Sequence, residues 1–129
     1  MTEKIGIFGG TFDPVHIGHL RAAEEIREHF SLDRVYFVPA NIPPHKKNKE
    51  ITDTAIRFRM IKTVIRDNPN LRVSKIEMKR NGVSYSIDTV QAFEKRFKYL
   101  YFIIGIDAFS EINTWLNYRE IFYHTNFII

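Results

Sequence analysis

The chain has no cysteine among its 129 residues. Disulfides, a thiol nucleophile and cysteine-ligated zinc are therefore excluded, and the absence fits a reducing, cytoplasmic setting. No apolar run reaches the ~20 residues of a membrane-spanning helix, and the N-terminus shows no signal-peptide pattern. Neither an internal repeat nor a low-complexity segment is visible. A strong charge of one sign is also missing: the formal net charge is +4 with dispersed cations. That balance suits anionic small ligands better than nucleic acid, for which no aromatic–basic stripe exists. What the chain does have is 44% hydrophobic and 14% aromatic residues, enough to bury the core of a single domain.

Apolar runs alternate with helix-like periodic stretches. Strands are expected at Ile5–Phe8, Arg34–Val38, Leu71–Met78, Leu100–Ile104 and from Asn126 to Ile129. Helices are expected at Gly18–Phe30, Asp53–Asp67 (capped by Thr52 or Asp53) and Ser86–Phe97, with short ones at Asp107–Ile112 and Tyr118–Tyr123. A Pro- and Lys-rich loop fills 39–50, and Asn81-Gly82 marks a turn. The alternation argues for an α/β fold, a Rossmann-like open parallel sheet with helices on both faces. The chain stops inside an apolar strand, which reads either as a truncation or as a last strand completing the sheet.

The most informative segment is Gly9-Gly10-Thr11-Phe12-Asp13-Pro14-Val15-His16-Ile17-Gly18-His19, directly after the first strand. Strand, glycine turn and helix in succession suit phosphate binding, because a helix N-terminus attracts anions. Gly9 and Gly10 allow close backbone approach and positive φ. Thr11 and Asp13 organise turns, and Pro14 removes a donor. His16 and His19, three apart, would share a helix face, with Gly18 keeping that face open to a ligand. As imidazoles they offer hydrogen bonds and positive charge near neutral pH, making a small cationic cradle. No Lys-Ser or Lys-Thr follows the glycines, so this is not a Walker loop, and Gly-x-Gly-x-x-Gly is absent too. A zinc site at the two histidines lacks the metalloprotease spacing and an obvious third ligand, so no metal site is assigned.

In parallel sheets ligands sit at the carboxyl ends of the strands, so the later loops should converge on the first. After strand two, His45 and Lys46 could meet a phosphate or belong to a solvated basic loop. After strand three, Ser84, Tyr85, Ser86 and Thr89 crowd hydroxyls at a helix start, where capping by Ser86 or Asp88 is the competing reading. After strand four, Gly105 and Asp107 could meet ribose hydroxyls, or Asp107 could be an N-cap. Trp115, the single tryptophan, could stack on a ring or fill core.

Taken together these residues resemble the bacterial nicotinate-nucleotide adenylyltransferases, members of the nucleotidyltransferase superfamily with a His-x-Gly-His motif. The resemblance rests on the 9–19 segment; Val38-Pro39 with Pro43-Pro44-His45-Lys46; Arg57 and Met60; Ser84-Tyr85-Ser86-Ile87-Asp88-Thr89; Gly105-Ile106-Asp107; and Trp115. It spans essentially the whole chain. Two departures stand out: Ser86 replaces the usual threonine, and the family's later Ser-Ser/Thr-x-x-Arg segment has no counterpart. The resemblance thus implies a single adenylyltransferase domain, 1–129, lacking its C-terminal part.

It further implies transfer of AMP from ATP to nicotinic acid mononucleotide, giving deamido-NAD and pyrophosphate in NAD biosynthesis, with Mg²⁺ accompanying ATP. By the same resemblance, His16 and His19 are catalytic. Gly9, Gly10, Thr11, Phe12, His16, His19, Gly105 and Asp107 bind ATP. His45, Lys46, Ser84, Tyr85, Ser86, Thr89 and Trp115 bind the mononucleotide. Alternatives are a nucleotide-binding fragment without turnover and an enzyme acting on nicotinamide mononucleotide. Neither nucleic acid nor membrane is expected as a partner, and a homo-oligomer stays open.

Overall fold

The computed structural model of the chain describes residues 3–41, 52–79 and 85–129. His45, Lys46 and Ser84 lie outside the described residues. In chain order the elements are β1 (Lys4–Gly10), α1 (Ile17–His29), β2 (Arg34–Pro39), α2 (Thr54–Ile65), β3 (Leu71–Val73), α3 (Ser86–Glu94), β4 (Tyr99–Ile103), α4 (Ile106–Ser110), a 3-10 turn at Ile112–Thr114, α5 (Tyr118–His124) and β5 (Asn126–Ile128). The strands form one parallel sheet in the order β3-β2-β1-β4-β5. No helix among the described residues is long and apolar enough to cross a membrane.

The alternating direction of strand side chains divides the core into two layers. Val35 and Phe37 of β2 and Ile103 of β4 pack with Ala23 of α1 and Ile61 and Ile65 of α2. Ile5 and Ile7 of β1, Val38 of β2, and Leu100 and Phe102 of β4 pack with Val90 and Phe93 of α3 and Ile121 of α5. Strands buried on both faces read as nearly continuous apolar runs, which is why they stand out in the sequence.

The elements differ from expectation where side chains intervene. The third strand stops at Val73 rather than Met78. Its last rung is Ser74 N–H to Phe37 O, 2.9 Å, and β2 then supplies Pro39, which has no N–H to continue a ladder. Ser74 Oγ accepts from Ile76 N, 3.2 Å, and the chain turns. The third helix ends at Glu94, not Phe97, as Arg96 and Phe97 N–H groups both turn back to Phe93 O. At the start of α2, Asp53 is the cap, accepting from Ala55 N at 2.9 Å.

The chain leaves β1 by α1 toward β2 on one side, while α3 delivers β4 on the other. The carboxyl ends of β1 and β4 therefore part at the point where the winding reverses, which is where open parallel sheets bind ligands.

Candidate active site

A cavity of about 240 Å³ opens at that parting of β1 and β4. Gly9, Gly10 and Thr11 bring the end of β1 to it, and Ile104 and Gly105 the end of β4. Ser86 and Thr89 line it from the first turn of α3, Trp115 from beyond the 3-10 turn, and Ala40 and Glu77 from the ends of β2 and β3. Seven residues expected from the sequence thus meet here. Phe12, His16, His19, Tyr85 and Asp107 lie outside the lining. Asp107 is exposed in the first turn of α4, whose N-cap is Gly105, so Asp107 is not the cap. Tyr85 is the N-cap of α3, and among the described residues no side chain caps that helix, so neither Ser86 nor Asp88 does so. Trp115 is half-buried, its ring edge-on to Phe102 at 5.9 Å.

The histidines form a second feature at the start of α1. His16 precedes the helix as its N-cap, in extended conformation. Its backbone N–H donates to His19 Nδ1 at 3.0 Å, and Gly18 N–H donates to His16 Nδ1 at 3.1 Å. The rings stack with centroids 3.7 Å apart. Both Nδ1 atoms are acceptors, so the proton of each neutral ring belongs on Nε2. Reciprocal capping therefore fixes the tautomer that leaves Nε2–H as the donor.

Gly18 has a steric role as well. A Cβ there would lie 2.9 Å from His16 Cε1 and 3.0 Å from Nδ1. The glycine makes room for the His16 ring to fold over the helix start. The expected positive charge is corrected at His19. Burial holds His19 below the ordinary histidine value of 6.5, and the charge of His16 adds to this. His19 is a neutral hydrogen-bond donor at neutral pH.

The left-handed conformation falls on Phe12 (φ 49) rather than on Gly9 or Gly10. A large side chain in that region is strained. The strain is offset by burial of the ring, 4% exposed, edge-on to His19 at 5.1 Å and to Phe8 at 5.4 Å. Phe12 is thus the floor beneath His19. Gly10 leaves space for that ring, since a Cβ there would stand 3.2 Å from it.

Arg57 of α2 holds the loops around this site. It is 1% exposed, and each of its five N–H donors has a partner. Nε donates to Thr52 O, Nη1 to Thr11 O and Ala40 O, and Nη2 to Asn41 O and Thr54 Oγ1. The loop after β1, the loop after β2 and the entry to α2 meet on one guanidinium. Asp13 Oδ2 adds a link by accepting from Thr52 N at 3.0 Å. Burial lowers the Arg57 pKa and the Asp13 and Asp53 carboxylates raise it; the group stays charged. Sequence reasoning gave Arg57 no role of its own. The signal was present: a cation on the same stripe as Ile61 and Ile65, four residues apart, on the face α2 buries. Glu77 was missed because it sat inside an expected strand. Among the described residues no cluster of three or more His, Cys, Asp or Glu is placed to hold a metal ion.

A doubly wound parallel sheet with a cavity at its switch point and an imidazole-capped helix beside it defines a Rossmann-like α/β protein. More narrowly, the chain belongs to the cytidylyltransferase-like family, whose model matches residues 7–129. It is 44% identical over 126 residues to a probable nicotinate-nucleotide adenylyltransferase of Desulfatibacillum aliphaticivorans, covering 98% of this chain and 58% of that protein. A solved structure from Vibrio parahaemolyticus, assigned by name to the nicotinate-nucleotide adenylyltransferases, shares the fold with TM-score 0.74 at 24% identity, over 98% of this chain and 72% of that one. Plasmodium falciparum nicotinic acid mononucleotide adenylyltransferase complexed with NaAD gives TM-score 0.73 at 19% identity, over 92% of this chain and 60% of that one. The chain spans less than two thirds of the length of the curated relatives it matches.

Two measurements check this geometry. Arg57→Lys offers three donors in place of five and should cost about 2–4 kcal/mol of unfolding free energy by urea titration; a cost under about 1 kcal/mol would show that the carbonyls need no shared partner. NMR titration should place His19 below 6.5, since the fold favours its neutral form. As pH falls below 6.5 the unfolded state takes up the proton first, so this group's contribution to stability is lost on acidification. Gly18→Ala, which displaces the His16 ring, should move the His19 midpoint back up.

Proposed function

We propose that the chain forms the nucleotide-holding part of an adenylyltransferase that joins AMP from ATP to nicotinic acid mononucleotide, releasing pyrophosphate. The observation that carries this reading is the pairing of a cavity at the switch point with the histidine pair beside it. The cavity volume, about 240 Å³, lies just below the ~300–1,000 Å³ of common ligand pockets. It suits one part of a ligand rather than two nucleotides, which leaves the phosphates for the open region at the start of α1. The name carried by the 44%-identical relative supports the same substrates.

In the reaction, a phosphate oxygen of the mononucleotide attacks the α-phosphorus of ATP in line. One P–O bond forms there, and the bond to the bridging oxygen of the β-phosphate breaks, releasing pyrophosphate. No covalent enzyme intermediate is required, so positioning and charge stabilisation do the work. The backbone of Gly9, Gly10, Thr11 and Phe12 lines the path of ATP, which enters with Mg²⁺. His16 and His19 donate Nε2–H to its phosphates. Their mutual capping removes the need to order the rings when ATP arrives. Gly105 and Asp107 meet the adenosine ribose, and His45 and Lys46 the phosphates. Ser84, Tyr85, Ser86 and Thr89, with Trp115, hold the nicotinate mononucleotide. Trp115 offers a ring face, and the N-terminus of α3 offers backbone N–H groups to the pyridine carboxylate.

The chain with MgATP should turn over nicotinate mononucleotide at least about tenfold more efficiently than the amide, because a site built for the carboxylate leaves donors unpaired with the amide. Equal release of pyrophosphate from both would refute the acid assignment. His19→Ala should lower kcat by about 10²–10³ while changing the KM for ATP little. Comparable turnover in the variant would remove His19 from the chemistry.

A further inference from the structure

Glu77 is the one buried carboxylate among the described residues, 7% exposed, and it lines the cavity. It sits on the turn after β3, where Lys79 N–H closes onto Lys75 O at 3.1 Å. Its Oε2 accepts the hydroxyl proton of Thr89 at 2.5 Å. Thr89 is 1% exposed and belongs to the first turn of α3, together with Ser86. Both line the same cavity.

Burying a carboxylate costs several kcal/mol unless it is well paired. If the contact only filled core, two apolar side chains would do so without that cost. A short hydrogen bond to a carboxylate gives instead a strong, directional tie. The tie joins the turn after β3 to the first turn of α3, two parts of one connection that both reach the cavity. Among the described residues no side chain caps the helix it fixes. The first turn of α3 is therefore held in register with the sheet from beneath, through Thr89, while Ser86 on the same turn lines the cavity.

We propose that Glu77 is a positioning residue for the pyridine mononucleotide, acting through Thr89 to set where the first turn of α3 meets the ligand. This rests on the adenylyltransferase reading above. A donor moved out of reach leaves its partner unpaired, so loss of the tie should act selectively on the ligand that α3 contacts. ATP, on the β1 and α1 side, should be little affected.

Trp115 is the single tryptophan and lines the cavity, so its fluorescence reports occupancy without turnover. Titration with nicotinic acid mononucleotide should quench it. Glu77→Ala should weaken that binding about tenfold or more, with the ATP affinity from calorimetry within about twofold. Thr89→Val, nearly isosteric, should match Glu77→Ala and serves as the deciding variant if the latter does not fold. Glu77→Gln keeps an acceptor and should restore most of the affinity. Mononucleotide binding unchanged in Thr89→Val, or equal weakening for both nucleotides, overturns the inference. Absence of quenching in the wild-type chain overturns the adenylyltransferase reading and this inference together, and is seen before any variant is made.

Discussion

One buried guanidinium governs the arrangement at the carboxyl end of the sheet. Arg57 is a cation surrounded by main-chain carbonyls from Thr11, Ala40, Asn41 and Thr52, with the Thr54 hydroxyl completing its shell. Loops carry polar backbone that must find partners when buried. Here three segments find theirs in the same side chain. Arginine is suited to this because its five donors lie in one rigid plane. The loop after β1 is thereby fixed from below, which leaves its other side to a ligand.

From that loop the order propagates upward. Thr11 is held by Arg57, the next residue turns left-handed, and its ring becomes the floor of His19. His19 then accepts from the backbone of His16, and His16 from Gly18. Each step uses a hydrogen bond or a ring contact rather than apolar area alone. The result is a pair of imidazoles whose orientation and tautomer are settled by the fold itself.

The parts of this structure visible in the sequence are those governed by periodicity. Strands buried on both faces announce themselves as runs such as Val35-Tyr36-Phe37-Val38, and helices by their apolar spacing. Convergence of Gly9, Gly10, Ser86, Gly105 and Trp115 follows from the parallel topology, which the alternation of elements implies. What escaped notice depends on contacts between particular side chains, which periodicity does not reveal. The early end of β3 is set by Pro39 of its neighbour, the need for glycine at position 18 by the His16 ring, and the positive φ at Phe12 by burial beneath His19. Glu77 looked like one residue of a strand because nothing local marks it as the partner of Thr89.

The topology also has a consequence for how the molecule is made. β1 occupies the middle of the sheet, and one of its edges pairs with β2 nearby in sequence, as in Ile5 beside Arg34. Its other edge pairs with β4, bringing Ile5 beside Leu100. During synthesis that second edge has no partner until the chain has been made through β4. Long-range parallel pairing of this kind closes slowly and leaves apolar strand edges open to wrong partners meanwhile. The geometry that places a ligand cavity between β1 and β4 is the same geometry that makes this seam the last of the sheet's central joins to form.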